Sequence, residues 1–156
     1  MLRLLPAMLL LAAASGVAAQ SGADAALLER GRYMVLTGHC NNCHTAGYAP
    51  TNGRVPEEKW LMGNPVGWRS KSGTSYGTNL RLFVANMSED AWIQVIRNAE
   101  PRAPMPWWSL RATSDDDLRA MYRYIRSLQP LGNPAPAFLP PGEAPPRPYQ
   151  QLPDMS

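Results

Sequence analysis

Five consecutive residues constrain this chain more than any other feature: Cys40-Asn41-Asn42-Cys43-His44. The two cysteines stand about one helical turn apart, so both thiols can leave the same side of the backbone. The histidine that follows adds an imidazole within reach of whatever the thiols hold. In an exported chain this spacing points to a covalent c-type haem, with one sulfur on each vinyl edge and His44 on the iron. Three weaker readings stay open. A zinc half-site would need more ligands than a chain with 2 cysteines and 2 histidines offers, since His39 directly precedes the first thiol. A thioredoxin-type redox pair would want a strand before it and a helix after, whereas this pair follows a helical pattern and opens an irregular loop. A plain disulfide would close a very small loop and stabilise little.

At 156 residues the chain has room for one domain with ends. Its 16 prolines and 12 glycines imply long irregular stretches, which leaves such a domain short of core. A buried porphyrin would supply the missing apolar mass. Residues 1–19 read as a secretory signal peptide: Arg3, an apolar run from Leu4 to Ala14, then Val17-Ala18-Ala19 as a small-residue cleavage site. An uncleaved anchor is the competing reading of that stretch, and no other stretch is apolar enough to span a bilayer. The expected location is therefore the periplasm. The formal net charge is +3, of which Arg3 contributes one unit, and two ionised haem propionates would offset the remainder. With no basic run interleaved with aromatics, nucleic acid is not an expected partner.

The expected division is a signal peptide (1–19), one domain (20–129) and a proline-rich tail (130–156). A first helix is predicted from about Asp24 to Leu36, with Asp24 as N-cap and Leu27, Leu28, Gly31, Met34 and Val35 on one face. A glycine inside a helix costs about 1 kcal/mol against alanine, so Gly31 implies close packing of another helix. Residues 45–87 show no sustained period and many turn signals, with a short helix expected near Pro56. Within this stretch Trp60, Trp68 and Tyr76 are candidates for the haem edge, against ordinary aromatic burial. A helix from Glu89 to Ala99 is predicted with Ser88 as its cap, and another from Asp115 to Leu128 capped by Thr113 or Ser114. Between them, residues 102–108 cannot form a regular helix because of Pro104 and Pro106. Arg119, Arg123 and Arg126 share a face, read as solvated with Asp115–Arg119 pairing. The tail is expected to be extended, with Phe138, Leu139 and Tyr149 as anchors to the domain or to a partner.

The sixth iron position decides the chemistry. His39 lies on the wrong side, which leaves Met62, Met87, Met105 and Met121. Met105 is favoured because Pro104 and Pro106 hold its thioether out on a stiff loop. The competing reading packs it against the neighbouring tryptophans. A filled site leaves single-electron exchange, while an open one would make a haem enzyme or gas sensor; no distal acid–base pair supports the latter. A haem-free disulfide protein acting as an interaction module is the third reading.

From Ala25 to Leu128 the pattern resembles the class I monohaem c-type cytochromes. The resemblance rests on the Gly31 helix, Cys40-x-x-Cys43-His44, Met105-Pro106, and a last helix ending Tyr124-Ile125-Arg126-Ser127-Leu128. It implies an all-α fold of three to four short helices wrapped around one covalent haem, with long loops. A narrower likeness, through Gly63-x-x-x-Gly67 and Tyr76-Gly77-Thr78-Asn79-Leu80, is to cytochrome domains serving periplasmic dehydrogenases. It implies that Asn79 lies near the haem propionates. It also implies an electron carrier, not an enzyme, taking electrons from a dehydrogenase and passing them to another cytochrome or a terminal oxidase. Several of those subunits carry two or three haems, whereas this chain has one attachment motif.

Overall fold

A computed structural model describes the backbone of residues 7–153, with side chains from residue 22. The first six residues of the predicted signal segment lie outside that range. Helix α1 spans Ala7–Thr37, so Asp24 is not its cap and the helix starts well before the predicted point. The residues before Asp24 are rich in alanine, and no proline after Pro6 interrupts them. Among the described residues no helix is long and apolar enough to cross a membrane.

After α1 come α2 (Cys40–His44), α3 (Leu80–Ala85), α4 (Glu89–Asn98), α5 (Trp107–Ala112) and α6 (Asp115–Ser127). The two helices expected on pattern and caps form as read. Ser88 Oγ accepts from Ala91 N–H at 3.2 Å, and Ser114 Oγ accepts from Asp117 N–H at 3.1 Å. Two short helices had not been expected. Asn79 starts α3, its side chain accepting from Leu82 N–H at 3.1 Å. Pro106 starts α5, a position where a missing N–H costs nothing.

Helices α1 and α6 cross at Gly31. A Cβ added there would lie 2.0 Å from the Ala120 carbonyl oxygen and 2.7 Å from Tyr124 Cβ. The glycine is thus the contact that lets the two backbones touch. Around it Val35, Leu61, Val84, Trp92, Ile93, Ile96, Leu118 and Ile125 form the buried core.

Residues 45–87 hold more structure than their lack of period implied. A 3-10 turn covers Glu57–Lys59, and β1 (Asn64–Ser70) pairs antiparallel with β2 (Gly73–Gly77). The tail adds β3 (Tyr149–Gln151) to the other edge of β1 in parallel, giving the order β2-β1-β3. The mainly helical fold thus carries a small sheet. Elsewhere in the core the buried Arg81 guanidinium donates to the carbonyls of Trp60, Leu128, Glu57 and Glu58 at 2.7, 3.0, 3.1 and 2.9 Å. Burial holds its pKa below the ordinary arginine value, and the group stays ionised. One cation therefore ties the 3-10 turn, α3 and the end of α6 together.

The arginines of α6 keep a solvent-exposed face, but their pairing differs from the one expected. Arg119 pairs with Glu89 and Asp90, Arg123 with Glu89, and Asp115 with Arg97 rather than Arg119. The partners come from α4 because the two helices pack side by side. Glu57 is held similarly, accepting from Tyr124 Oη at 2.7 Å and Arg32 Nε at 2.9 Å. Burial pulls the Glu57 and Glu89 carboxyls upward, but their hydrogen-bond donors and the adjacent arginine charges outweigh it and hold both below the ordinary range. Asp117 is held low mainly by its hydrogen bond from Arg30.

Acid should therefore unfold the protein through these three groups. Each binds its proton less readily folded than unfolded, so protonation favours the unfolded chain. The stabilisation is complete above the ordinary glutamate value of 4.5 and is lost as pH falls through the lower folded values. Below about pH 4.5 urea midpoints should drop, with a shallower drop in Glu57→Gln. Equal slopes in the two proteins would rule Glu57 out as a contributor.

Candidate haem site

The attachment motif folds as the short helix α2, entered through His39 in the left-handed region (φ 56°). That entry leaves His39 exposed and away from the cavity described below. Cys40 and Cys43 are both free thiols, each with its pKa pushed up by burial, Cys40 to about 11. His44 is buried, and its Nδ1–H donates to the Thr78 carbonyl at 2.8 Å. A carbonyl can only accept, so the neutral ring keeps its proton on Nδ1 and has a lone pair free at Nε2. Burial lowers the imidazole pKa, against the raising effect of that hydrogen bond. The result is a neutral, oriented nitrogen donor, the form in which histidine binds a metal.

The surrounding backbone fixes α2 from two sides. Gly63 N–H donates to the His44 carbonyl at 2.8 Å. Thr45 Oγ1 donates to Asn41 Oδ1 and accepts from Leu61 N–H, both at 2.7 Å. At Gly77 an added Cβ would lie 1.8 Å from the Cys43 carbonyl oxygen, so strand β2 lies directly on the motif.

A mostly apolar cavity of about 390 Å³ opens beside α2, and Cys40, Cys43 and His44 all line it. Met105 lines it too, from the loop between α4 and α5. Of the other candidate methionines, Met121 also reaches the cavity wall but belongs to the core stripe of α6, while Met62 and Met87 do not line it. Of the candidate aromatics, Trp68 and Tyr76 are in the wall. Trp60 is not: its ring packs in the core, edge-on to Tyr48 at 5.8 Å and beneath Arg32 at 5.4 Å, with Nε1–H donating to Val55. Asn79 is not in the wall either. Its buried amide is occupied in capping α3 and donating to the Leu131 and Asn133 carbonyls at 2.8 and 3.2 Å.

The residues present fit a covalent haem. Two wall residues bury polar atoms that have no protein partner, Tyr76 Oη and Trp107 Nε1. A buried donor left unmade costs about 1–3 kcal/mol, and a guest bringing its own carboxylates, as haem does, would satisfy both. Trp107 had not been singled out in the sequence; its only signal there was its place two residues after Met105. Among the described residues no group of three or more His, Cys, Asp or Glu could hold a metal ion, so the cysteine pair has no partners for a tetrahedral zinc site.

Two thiols, a neutral imidazole and a thioether around one apolar cavity define a covalent-haem domain. The chain belongs to the cytochrome c family, whose model matches residues 28–129. It is 30% identical over 124 residues to one of the nicotinate dehydrogenase subunits of Pseudomonas putida, covering 73% of this chain and 10% of that protein. It is also 30% identical over 118 residues to the gluconate 2-dehydrogenase cytochrome c subunit of Pantoea cypripedii (69% and 24%). With the cytochrome c subunit of the quinone alcohol dehydrogenase of Gluconobacter oxydans it shares 30% over 144 residues (81% and 27%). The chain thus spans between about a tenth and about a quarter of the length of these relatives. No solved structure matches it at a significant level. Membership of the family supports an electron-carrying role for this domain.

Proposed function

We propose that the chain carries one haem c through Cys40 and Cys43, with His44 and Met105 as axial ligands, and works as a single-electron carrier in the periplasm. The observation that carries this reading is the shared cavity: thiols, imidazole and thioether arrive from two separate segments and line one apolar space. A haem bound there supplies reversible one-electron chemistry at its iron.

The chain's own residues tune that chemistry. The hydrogen bond to Thr78 keeps the His44 ring oriented and would hold Nε2 ready for a haem iron. The Met105 thioether is a soft donor that favours ferrous iron, and the apolar wall disfavours the extra charge of the ferric state. Both raise the reduction potential. The names of the relatives support a dehydrogenase as electron donor, and a one-electron carrier would hand on to another cytochrome or a terminal oxidase. The leader at residues 1–19 supports export.

The test is an absorption spectrum, oxidised and reduced, of protein matured with haem-attachment machinery, repeated for Met105→Ala. Wild type should be low-spin with the red-region sulfur-to-iron band, and the variant should lose that band. Survival of the band in Met105→Ala would move ligation to another methionine, with Met121 the first to try because it shares the cavity.

A further inference from the structure

The described part of the segment after Gln129 is tied to the domain at several points. Asn79 holds its start through the carbonyls of Leu131 and Asn133. Thr74 and Leu139 exchange N–H···O bonds of 2.8 and 3.0 Å, and β3 lies along β1. Between the first two anchors, Pro136 and Phe138 reach the wall of the cavity.

Phe138 touches two elements at once. Against the turn of the hairpin, a Cβ added to Gly73 would lie 2.5 Å from its Cζ. On its face sits the Arg102 guanidinium, 4.4 Å from the ring centroid. Arg102 stands at the base of the Met105 loop, and its carbonyl accepts from Met105 N–H at 3.1 Å. With Pro101, Pro104 and Pro106, the loop lacks three of the eight N–H donors that could tie it down by main-chain bonds. Its support has to come from side chains, and the Arg102–Phe138 stack joins it to the hairpin through the tail.

We infer that Phe138 and Arg102 form a clasp by which the C-terminal segment holds the Met105 loop against the cavity. They are positioning residues for the sixth ligand, and this role rests on the reading of Met105 given above. A thioether binds iron weakly, so its occupancy depends on how firmly the loop is held. Phe138 also closes part of the wall and keeps water from the bound group.

The test uses the full-length holoprotein as wild type, Phe138→Ala, Arg102→Gln and Arg102→Lys. Amide exchange of residues 100–107 reports the clasp whatever ligates the iron. Reduction potential and carbon monoxide uptake by the ferrous form report the ligand. Phe138→Ala should exchange those amides about tenfold faster, take up carbon monoxide faster and show a lower potential, with the same direction in Arg102→Gln. Arg102→Lys, which keeps a cation over the ring, should stay close to wild type. Unchanged exchange in Phe138→Ala overturns the clasp. Faster exchange with unchanged potential and gas uptake overturns the positioning role. A wild type without the sulfur-to-iron band fails the ligand reading instead, and the exchange data keep the two failures apart.

Discussion

Replacing Gly31 by alanine is expected to cost about 3 kcal/mol or more of folding stability, the upper end of what overpacking does. On an exposed helix the same change would gain about 1 kcal/mol. The sign reverses because the new Cβ would sit 2.0 Å from the Ala120 carbonyl oxygen and 2.6 Å from its carbon. Both are main-chain atoms of α6, so no rotamer change clears them and the helices must separate. Tyr124, whose Cβ would lie 2.7 Å from the new one, must shift as well, and it carries a hydrogen bond of 2.7 Å to Glu57. Denaturant unfolding of the holoprotein checks this, and an alanine variant as stable as wild type would refute the crossing. Valine at the same place should prevent accumulation of folded protein altogether.

The second large effect is expected at Gly77. Its added Cβ would meet the Cys43 carbonyl oxygen at 1.8 Å and Asn64 Cβ at 3.3 Å, so alanine must push β2 away from α2. The next residue is Thr78, whose carbonyl orients His44. Gly77→Ala should therefore lose about 3 kcal/mol of stability or more and most of its covalently loaded fraction. The ratio of haem to protein absorbance after denaturing purification reads the loading directly. Normal loading with a normal ferrous spectrum would show that β2 does not brace the motif. Together the two glycines mark where backbone meets backbone, once in the core and once at the site.

Much of this was legible in the residues themselves. Helices α4 and α6 announce themselves because cap, charge and apolar period agree over a dozen residues, and Gly31 announces the crossing by being costly otherwise. Cys40, Cys43, His44 and Met105 could be brought together because the chemistry of each demands the others. The sheet was hidden for physical reasons. Strand β1 reads Asn-Pro-Val-Gly-Trp-Arg-Ser, with a register shift between Asn64 and Gly67 and no clean alternation. Its third strand comes from a stretch in which composition implied only an extended tail. Asn79 and Trp60 were placed by likeness and by aromatic character. Their actual positions follow from the cap of α3 and the packing around Arg32, neither of which has a local signature. The arginines of α6 failed to pair within their helix because α4 offered carboxylates at closer range.

Strand β3 ties Gln151 to Arg69, 82 positions earlier in the chain. A polypeptide made from its N-terminus presents Cys40 and Cys43 well before that strand exists. The chamber around the attachment motif is thus assembled with one side missing, and that side arrives afterwards with Pro136 and Phe138. Such an order of construction lets a broad, flat guest enter from the side and be bonded before the chain shuts behind it.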